Sequence, residues 1–254
     1  MEKTIIRIEG VSVDFSGFKA LNKVDFSMDT GELRFLIGPN GAGKTTLLDV
    51  ICGKVKPIEG RVLFGDGIDF EKLSDYKIAR CGVSRKFQTP SVFENLTVFE
   101  NMELSLKGGR GLLASFRKHT STEKDRIHAA LRTVDLEKRV FSKAGDLSHG
   151  EKQWLEIAMT ITQEPALLMV DEPVAGMTGR ERSRTGEILM ETARGRSVLV
   201  VEHDMNFVRR FARTVTVLHE GRLLCEGTFQ EVGNDPTVID VYLGRGGEAR
   251  ENGH

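Results

Sequence analysis

An α/β fold with a mainly parallel sheet is what the sequence predicts, and three observations carry the prediction. Short apolar runs at Leu33–Ile37, Ala166–Val170 and Val198–Val201 each end in a cluster of small or polar residues. Strands buried on both faces read as such runs, and open α/β sheets bind ligands beyond their carboxyl ends. Ile6 and Ile8, then Val11, Val13 and Phe15, then Val24, Phe26 and Met28 alternate with polar residues instead. That is the period of half-buried strands, so an antiparallel β-subdomain is expected at the N-terminus. From about Ser91 to Glu164 the pattern turns helical. One domain over 1–245 follows, with a helical subdomain of about 91–164 inserted in its core. Residues 246–254 contain one apolar residue, Ala249, and are expected to be a disordered tail.

The first run leads into Gly38-Pro39-Asn40-Gly41-Ala42-Gly43-Lys44-Thr45-Thr46. Glycine, four residues, then Gly-Lys-Thr is the pattern of a P-loop. Gly38, Gly41 and Gly43 let the backbone curl until its N–H groups face phosphate oxygens. The helix behind them adds unpaired first-turn donors and the positive end of its dipole. Lys44 is expected on the β- and γ-phosphates of a nucleoside triphosphate, and the Thr45 hydroxyl on Mg²⁺. Leu47, Val50 and Ile51 form that helix's apolar face, and Gly53 offers its stop. Arg61–Phe64, running into Gly65-Asp66-Gly67, extends the antiparallel part.

Further along, Thr97-x-x-Glu100 reads as a capping box opening a helix through Met102 and Leu106. Gly108–Gly111 is a loop, and Glu123–Val134 a second helix with Leu131 and Val134 inward. Leu147-Ser148-His149-Gly150-Glu151 then opens a helix with Trp154, Ile157, Ala158 and Ile161 on one face. Ser148-x-x-Glu151 is itself a capping box, and a donor-rich helix start also suits a phosphate. The strand at 166–170 delivers Asp171 and Glu172, the first suited to the Mg²⁺ shell and the second to polarising an attacking water. Acids after a strand also cap helices or face solvent. Arg196–Val201 and Thr214–Leu218 return to strands, with Glu220-Gly221 as a turn. Pro236 opens a short helix carrying Val238, Val241 and Tyr242.

These motifs, in this order, resemble the ATP-binding subunits of ATP-binding cassette (ABC) transporters, whose signature is usually Leu-Ser-Gly-Gly-Gln. The likeness runs from about Ile5 to Leu243. It implies a P-loop ATPase core with a helical signature subdomain, and ATP with Mg²⁺ as cofactors. It implies catalytic roles for Glu172, His203 and Gln88, with Thr45, Gln88 and Asp171 around the metal. His203 lies at a strand end, where its imidazole can hold a γ-phosphate. Phe15 would stack on adenine, although it also completes an alternating strand and has a core reading. Ser148, His149, Gly150 and Glu151 would contact the ATP held by a second ABC ATPase subunit, a distinct cassette or a second copy. His149 and Glu151 depart from the usual signature, and Thr178 stands where many relatives carry aspartate.

Phe87-Gln88-Thr89-Pro90, Glu202-His203-Asp204-Met205 and Val241-Tyr242-Leu243-Gly244 resemble the branched-chain amino acid and amide group. Within it, residues 147–157 and 171–178 look most like the urea transporter's ATP-binding subunit. The expected function is an importer ATPase, for urea first and for branched-chain amino acids as the alternative. A substrate-binding protein outside the membrane would be an indirect partner. A soluble ABC ATPase is the alternative from another class, and a P-loop kinase would leave the signature unexplained.

Composition bounds these readings. Lys+Arg 36 against Asp+Glu 37 gives a net charge of −1, so no overall field recruits nucleic acid. No apolar run approaches the roughly 18–20 residues that span a bilayer, and no secretory signal is seen. Cys52, Cys81 and Cys225 lack metal-ligand spacing and suit a reducing compartment. With these bounds, the resemblance implies a peripheral position on the inner face of the cell membrane, docked on permease subunits.

Overall fold

The computed structural model describes residues 3–86, 92–107 and 121–241. Its larger sheet has six strands in the order β10-β9-β3-β8-β7-β6. These are β3 (Leu33–Ile37), β6 (Val83–Lys86), β7 (Leu167–Asp171), β8 (Ser197–Val201), β9 (Thr214–His219) and β10 (Arg222–Gly227). All pairings are parallel except β10 with β9. The carboxyl ends of β3, β8 and β7 are thus neighbours, as the apolar runs predict. A four-stranded antiparallel sheet, β2-β1-β4-β5, is formed by β1 (Thr4–Phe15), β2 (Phe18–Asp29), β4 (Glu59–Phe64) and β5 (Ile68–Asp69).

Alternation along the parallel strands divides the core. Leu36, Met169, Leu199 and Val201 face the antiparallel sheet and α1 (Lys44–Ile51), which contributes Leu47, Leu48, Val50 and Ile51. Phe35, Ile37, Leu168, Val170 and Val200 face the other way, against α6 (Gly179–Ala193) and α7 (Met205–Phe211). A separate apolar cluster joins α3 (Val98–Lys107), α4 (Ser121–Thr133) and α5 (His149–Ile161), with Ile127, Leu131 and Val134 fully buried. Shorter helices α2 (Asp75–Arg80) and α8 (Phe229–Gly233) complete the described elements, with one further turn of helix running from Pro236 to the limit at residue 241. Among the described residues, no helix is long and apolar enough to cross a membrane.

Local chemistry explains the boundaries. Thr97 and Glu100 exchange the two bonds of a capping box at α3, 2.7 and 3.1 Å. The Asp235 carboxylate accepts from Thr237 and Val238 N–H around Pro236, so the last turn starts where proline predicts. The β1–β2 hairpin turns through Ser16 and Gly17, both at positive φ as a two-residue loop requires. Phe15 and Phe18 face each other across that turn. Phe15 is 49% exposed, so its core reading fails: the strand reaches its turn beyond the edge of the core. Tyr242 and the expected tail lie outside the described residues.

β6 hides its chemistry in its pattern. Arg85 and Lys86 are polar residues in a short strand, yet both side chains are buried, and in opposite directions. α6 carries few large apolar residues. Thr185, Gly186 and Thr192 help fill its buried face, and the Phe211 ring of α7 packs closely on Gly186. A Cβ there would fall 2.3 Å from the Phe211 ring. Gly186→Ala should therefore destabilise the protein by about 1–3 kcal/mol through overpacking, against the usual gain of about 1 kcal/mol for alanine in a helix. Chemical denaturation checks this, and Phe211→Leu in the same background should recover much of the loss.

Candidate active site

The P-loop wraps a cavity of 410 Å³ lined by Asn40, Gly41, Ala42, Gly43, Lys44, Thr45 and Thr46, together with Phe15, Phe18, Asp171 and Glu172. Two glycines are dictated by crowding. A Cβ on Gly38 would lie 2.1 Å from the Leu218 carbonyl oxygen, and one on Gly43 2.6 Å from that of Ala20. Gly38 thus serves the junction of the loop with β9, and neither it nor Pro39 lines the cavity. Their carbonyls instead hold the Lys44 ammonium, at 2.7 and 2.9 Å. Burial lowers the Lys44 pKa, while Glu172 and Asp171 oppose that shift by attraction. Gly43 caps α1 without a side chain, and no acid occupies the first turn, so that helix start keeps its positive end.

The acids arrive at the end of β7. Asp171 Oδ2 accepts from Arg85 Nη2 at 2.8 Å. Glu172 has φ +45°, a costly conformation for a non-glycine residue, and its N–H is held by the Val201 carbonyl at 2.9 Å. Its carboxylate Oε1 lies 3.5 Å from His203 Nδ1. The structure therefore brings Glu172 and His203 together beside the P-loop cavity. Gln88 lies outside the described residues.

Three contributors are given no role by the sequence. Phe18, 64% exposed, doubles the aromatic wall started by Phe15. Arg85 bridges Asp171 and Asp49. Glu202 is buried at the end of β8, where its carboxylate accepts from the N–H groups of Val174, His203 and Asp204 at 3.2, 3.0 and 3.3 Å. One side chain thereby pins the loop after Glu172 to the loop of His203. A glutamate at the end of an apolar strand looks like an ordinary exposed acid; only parallel pairing with β7 reveals the second loop it reaches.

Ser148, His149, Gly150 and Glu151 do not line the cavity. The capping box forms, with Ser148 Oγ accepting from Glu151 N at 3.1 Å and Glu151 accepting from Ser148 N at 2.8 Å. Ser148 Oγ also donates to Glu181 Oε1 at 3.1 Å, and His149 Nε2 lies 3.2 Å from the Ala175 carbonyl oxygen. Glu181 packs so closely that a Cβ on Gly150 would sit 2.5 Å from its Oε1. Thr178 caps α6 in a box with Glu181, a task threonine and aspartate both perform. The signature turn is thus fastened to the loop that leaves Glu172.

A family model described as ABC transporter matches residues 21–175, and one described as branched-chain amino acid ATP-binding cassette transporter matches 222–248. The high-affinity branched-chain amino acid transport ATP-binding protein LivG of Escherichia coli K12 is 35% identical, over 96% of this chain and 99% of its own length. The corresponding protein BraF of Pseudomonas aeruginosa is 31% identical over 96% of this chain and 99% of its own. Among solved structures, the ADP conformation of MJ1267, an ATP-binding cassette of an ABC transporter, superposes with a TM-score of 0.84. It is 30% identical, covering 95% of this chain and 99% of that one. The expectation of urea finds no support in these relatives, whose names point to the alternative.

Burial raises the Glu202 pKa above the ordinary glutamate value, outweighing the three N–H bonds that favour its charged form. A raised folded-state value favours folding below the ordinary carboxylate range, and that contribution is lost as pH rises through the elevated value. Glu202→Gln should flatten this segment of the stability–pH curve. Melting temperatures of both proteins across acidic to neutral pH check it, and parallel curves would contradict the assignment.

Proposed function

The chain belongs to the ABC transporter ATPase family, and on that premise we propose that it powers an importer of branched-chain amino acids. As a member of that family it is an ATPase whose hydrolysis is coupled to transport. The substrate rests on one observation: relatives named for branched-chain amino acids match nearly the whole chain, and the matching C-terminal model carries the same name. The wording that suggested urea involves residues around the nucleotide and signature, none of which is placed to read a transported solute. A soluble, non-transport ATPase is likewise less well supported.

In the proposed reaction, the backbone N–H groups before α1 and the Lys44 ammonium hold the phosphates of ATP, while Phe15 and Phe18 provide faces for the adenine ring. Glu172 takes the proton of the attacking water, and His203 beside it steadies the γ-phosphate. The Thr45 hydroxyl and the Asp171 carboxylate border the same cavity, a hard-oxygen donor set that fits Mg²⁺. Among the described residues no group of three or more His, Cys, Asp or Glu is placed to hold a metal, in keeping with an ion completed by phosphate oxygens and water. Bound there, Mg²⁺ would neutralise charge on the phosphates. Gln88 is proposed to join this shell.

The proposed assembly pairs this chain with a second, distinct cassette whose ATP meets Ser148–Glu151. Permease subunits would dock at 88–92 and the start of α3, on the inner face of the membrane, with a substrate-binding protein on the far side. Lys44→Ala should abolish ATP binding with the fold intact. Glu172→Gln should keep binding and lower turnover by about 10²–10⁴-fold. Fluorescent-ATP titration and phosphate release check both, and a Glu172→Gln variant at wild-type rate would move the base elsewhere. Reconstituted in proteoliposomes with the neighbouring cassette, permease and binding protein, the complex should accelerate ATP hydrolysis with leucine or isoleucine. Stimulation by urea alone would overturn the substrate proposed.

A further inference from the structure

We propose that Arg85 is a positioning residue that sets the spacing between Thr45 and Asp171, two of the protein donors of the Mg²⁺–ATP site, an inference that rests on the site reading above. Its side chain is 4% exposed, and its guanidinium spans two elements. Nη1 donates to Asp49 Oδ1 at 2.6 Å, and Nη2 donates to Asp171 Oδ2 at 2.8 Å. Asp49 lies on α1 four residues after Thr45, so the two side chains share a helix face. The rigid arginine fork therefore ties the Thr45 face of α1 to the carboxylate at the end of β7. One Asp171 oxygen is held against Arg85, which fixes the direction of the other.

The strand that carries Arg85 is itself anchored on both sides. Arg85 is registered with Met169 in the parallel ladder, two residues before Asp171. Lys86 points to the opposite face and pairs with Gln153 and Glu156 of α5, the helix whose start is the signature turn. A bridge so placed cannot shift without moving the sheet edge or α5. Simple neutralisation of one buried and one half-buried acid is the competing account, and the two accounts diverge when charge balance is restored without the bridge.

Arg85→Met tests the first part, with fluorescent ATP titrated in EDTA and again across a Mg²⁺ series. The Mg²⁺ midpoint should rise about 10–100-fold, the usual effect of losing a residue that orients a metal ligand, while affinity in EDTA stays within about two-fold. Arg85→Met/Asp49→Asn removes one charge of each sign. It should recover most of any loss in melting temperature and keep the raised Mg²⁺ midpoint. Arg85→Lys, a single point donor that cannot span both acids, should fall between. An unchanged midpoint in Arg85→Met overturns the proposal, as does a double variant in which stability and midpoint recover together. If Arg85→Met does not fold, the double variant and Arg85→Lys decide by the same criteria. A wild-type protein that binds ATP with no response to Mg²⁺ would instead overturn the underlying site reading.

Discussion

Parallel pairing of β3, β8 and β7 is the constraint on which the candidate site depends. Each strand alone is a short apolar rod with a polar end. Side by side and pointing the same way, they bring the P-loop, the Glu202–His203 turn and Asp171-Glu172 to one edge of the sheet. The strands are held by packing on both faces, against α1 and the antiparallel sheet on one and against α6 and α7 on the other. Their ends can therefore carry unfavourable features, such as the backbone of Glu172 and the burial of Glu202, because the layers behind them do not give.

Charge is arranged around that edge in linked pairs. Asp171 and Asp49 share Arg85, Glu172 meets His203, and Glu202 meets three backbone donors. The links cross elements distant in the chain, so each ties together segments that the proposed reaction needs in register. The signature turn joins the same web through Ser148 to Glu181 and His149 to Ala175. The loop leaving the proposed base is thus held at both ends, by Glu202 near its start and by the signature turn further on.

What the sequence displays and what it conceals follows from where each interaction partner sits. The P-loop, the three apolar strands and the capping boxes are local patterns, and each is found where its residues predict. Arg85 and Lys86 are concealed because their partners, Asp49, Asp171 and Glu156, are far away in sequence. α6 has only a short apolar stripe, Ile188, Leu189 and Ala193, and its closest approach to α7 is made at Gly186. Phe15 shows an alternation that continues past the core, and Phe18 has a pattern no different from that of a surface residue. The solute is not written in the site at all: residues that handle phosphate cannot record what a permease carries.

The exposed pair Phe15 and Phe18 has a consequence for nucleotide choice. Two phenyl rings at the tip of a hairpin offer contact area without donors or acceptors, so on the proposed reading they would stack on any flat base nearly alike. Identity of the fuel would then be decided upstream of the protein, by which triphosphate is in greatest supply. A clip of this kind also decouples base from phosphate. Held on a separate hairpin, the base would make no demand on the strand ends, whose geometry serves the phosphates alone.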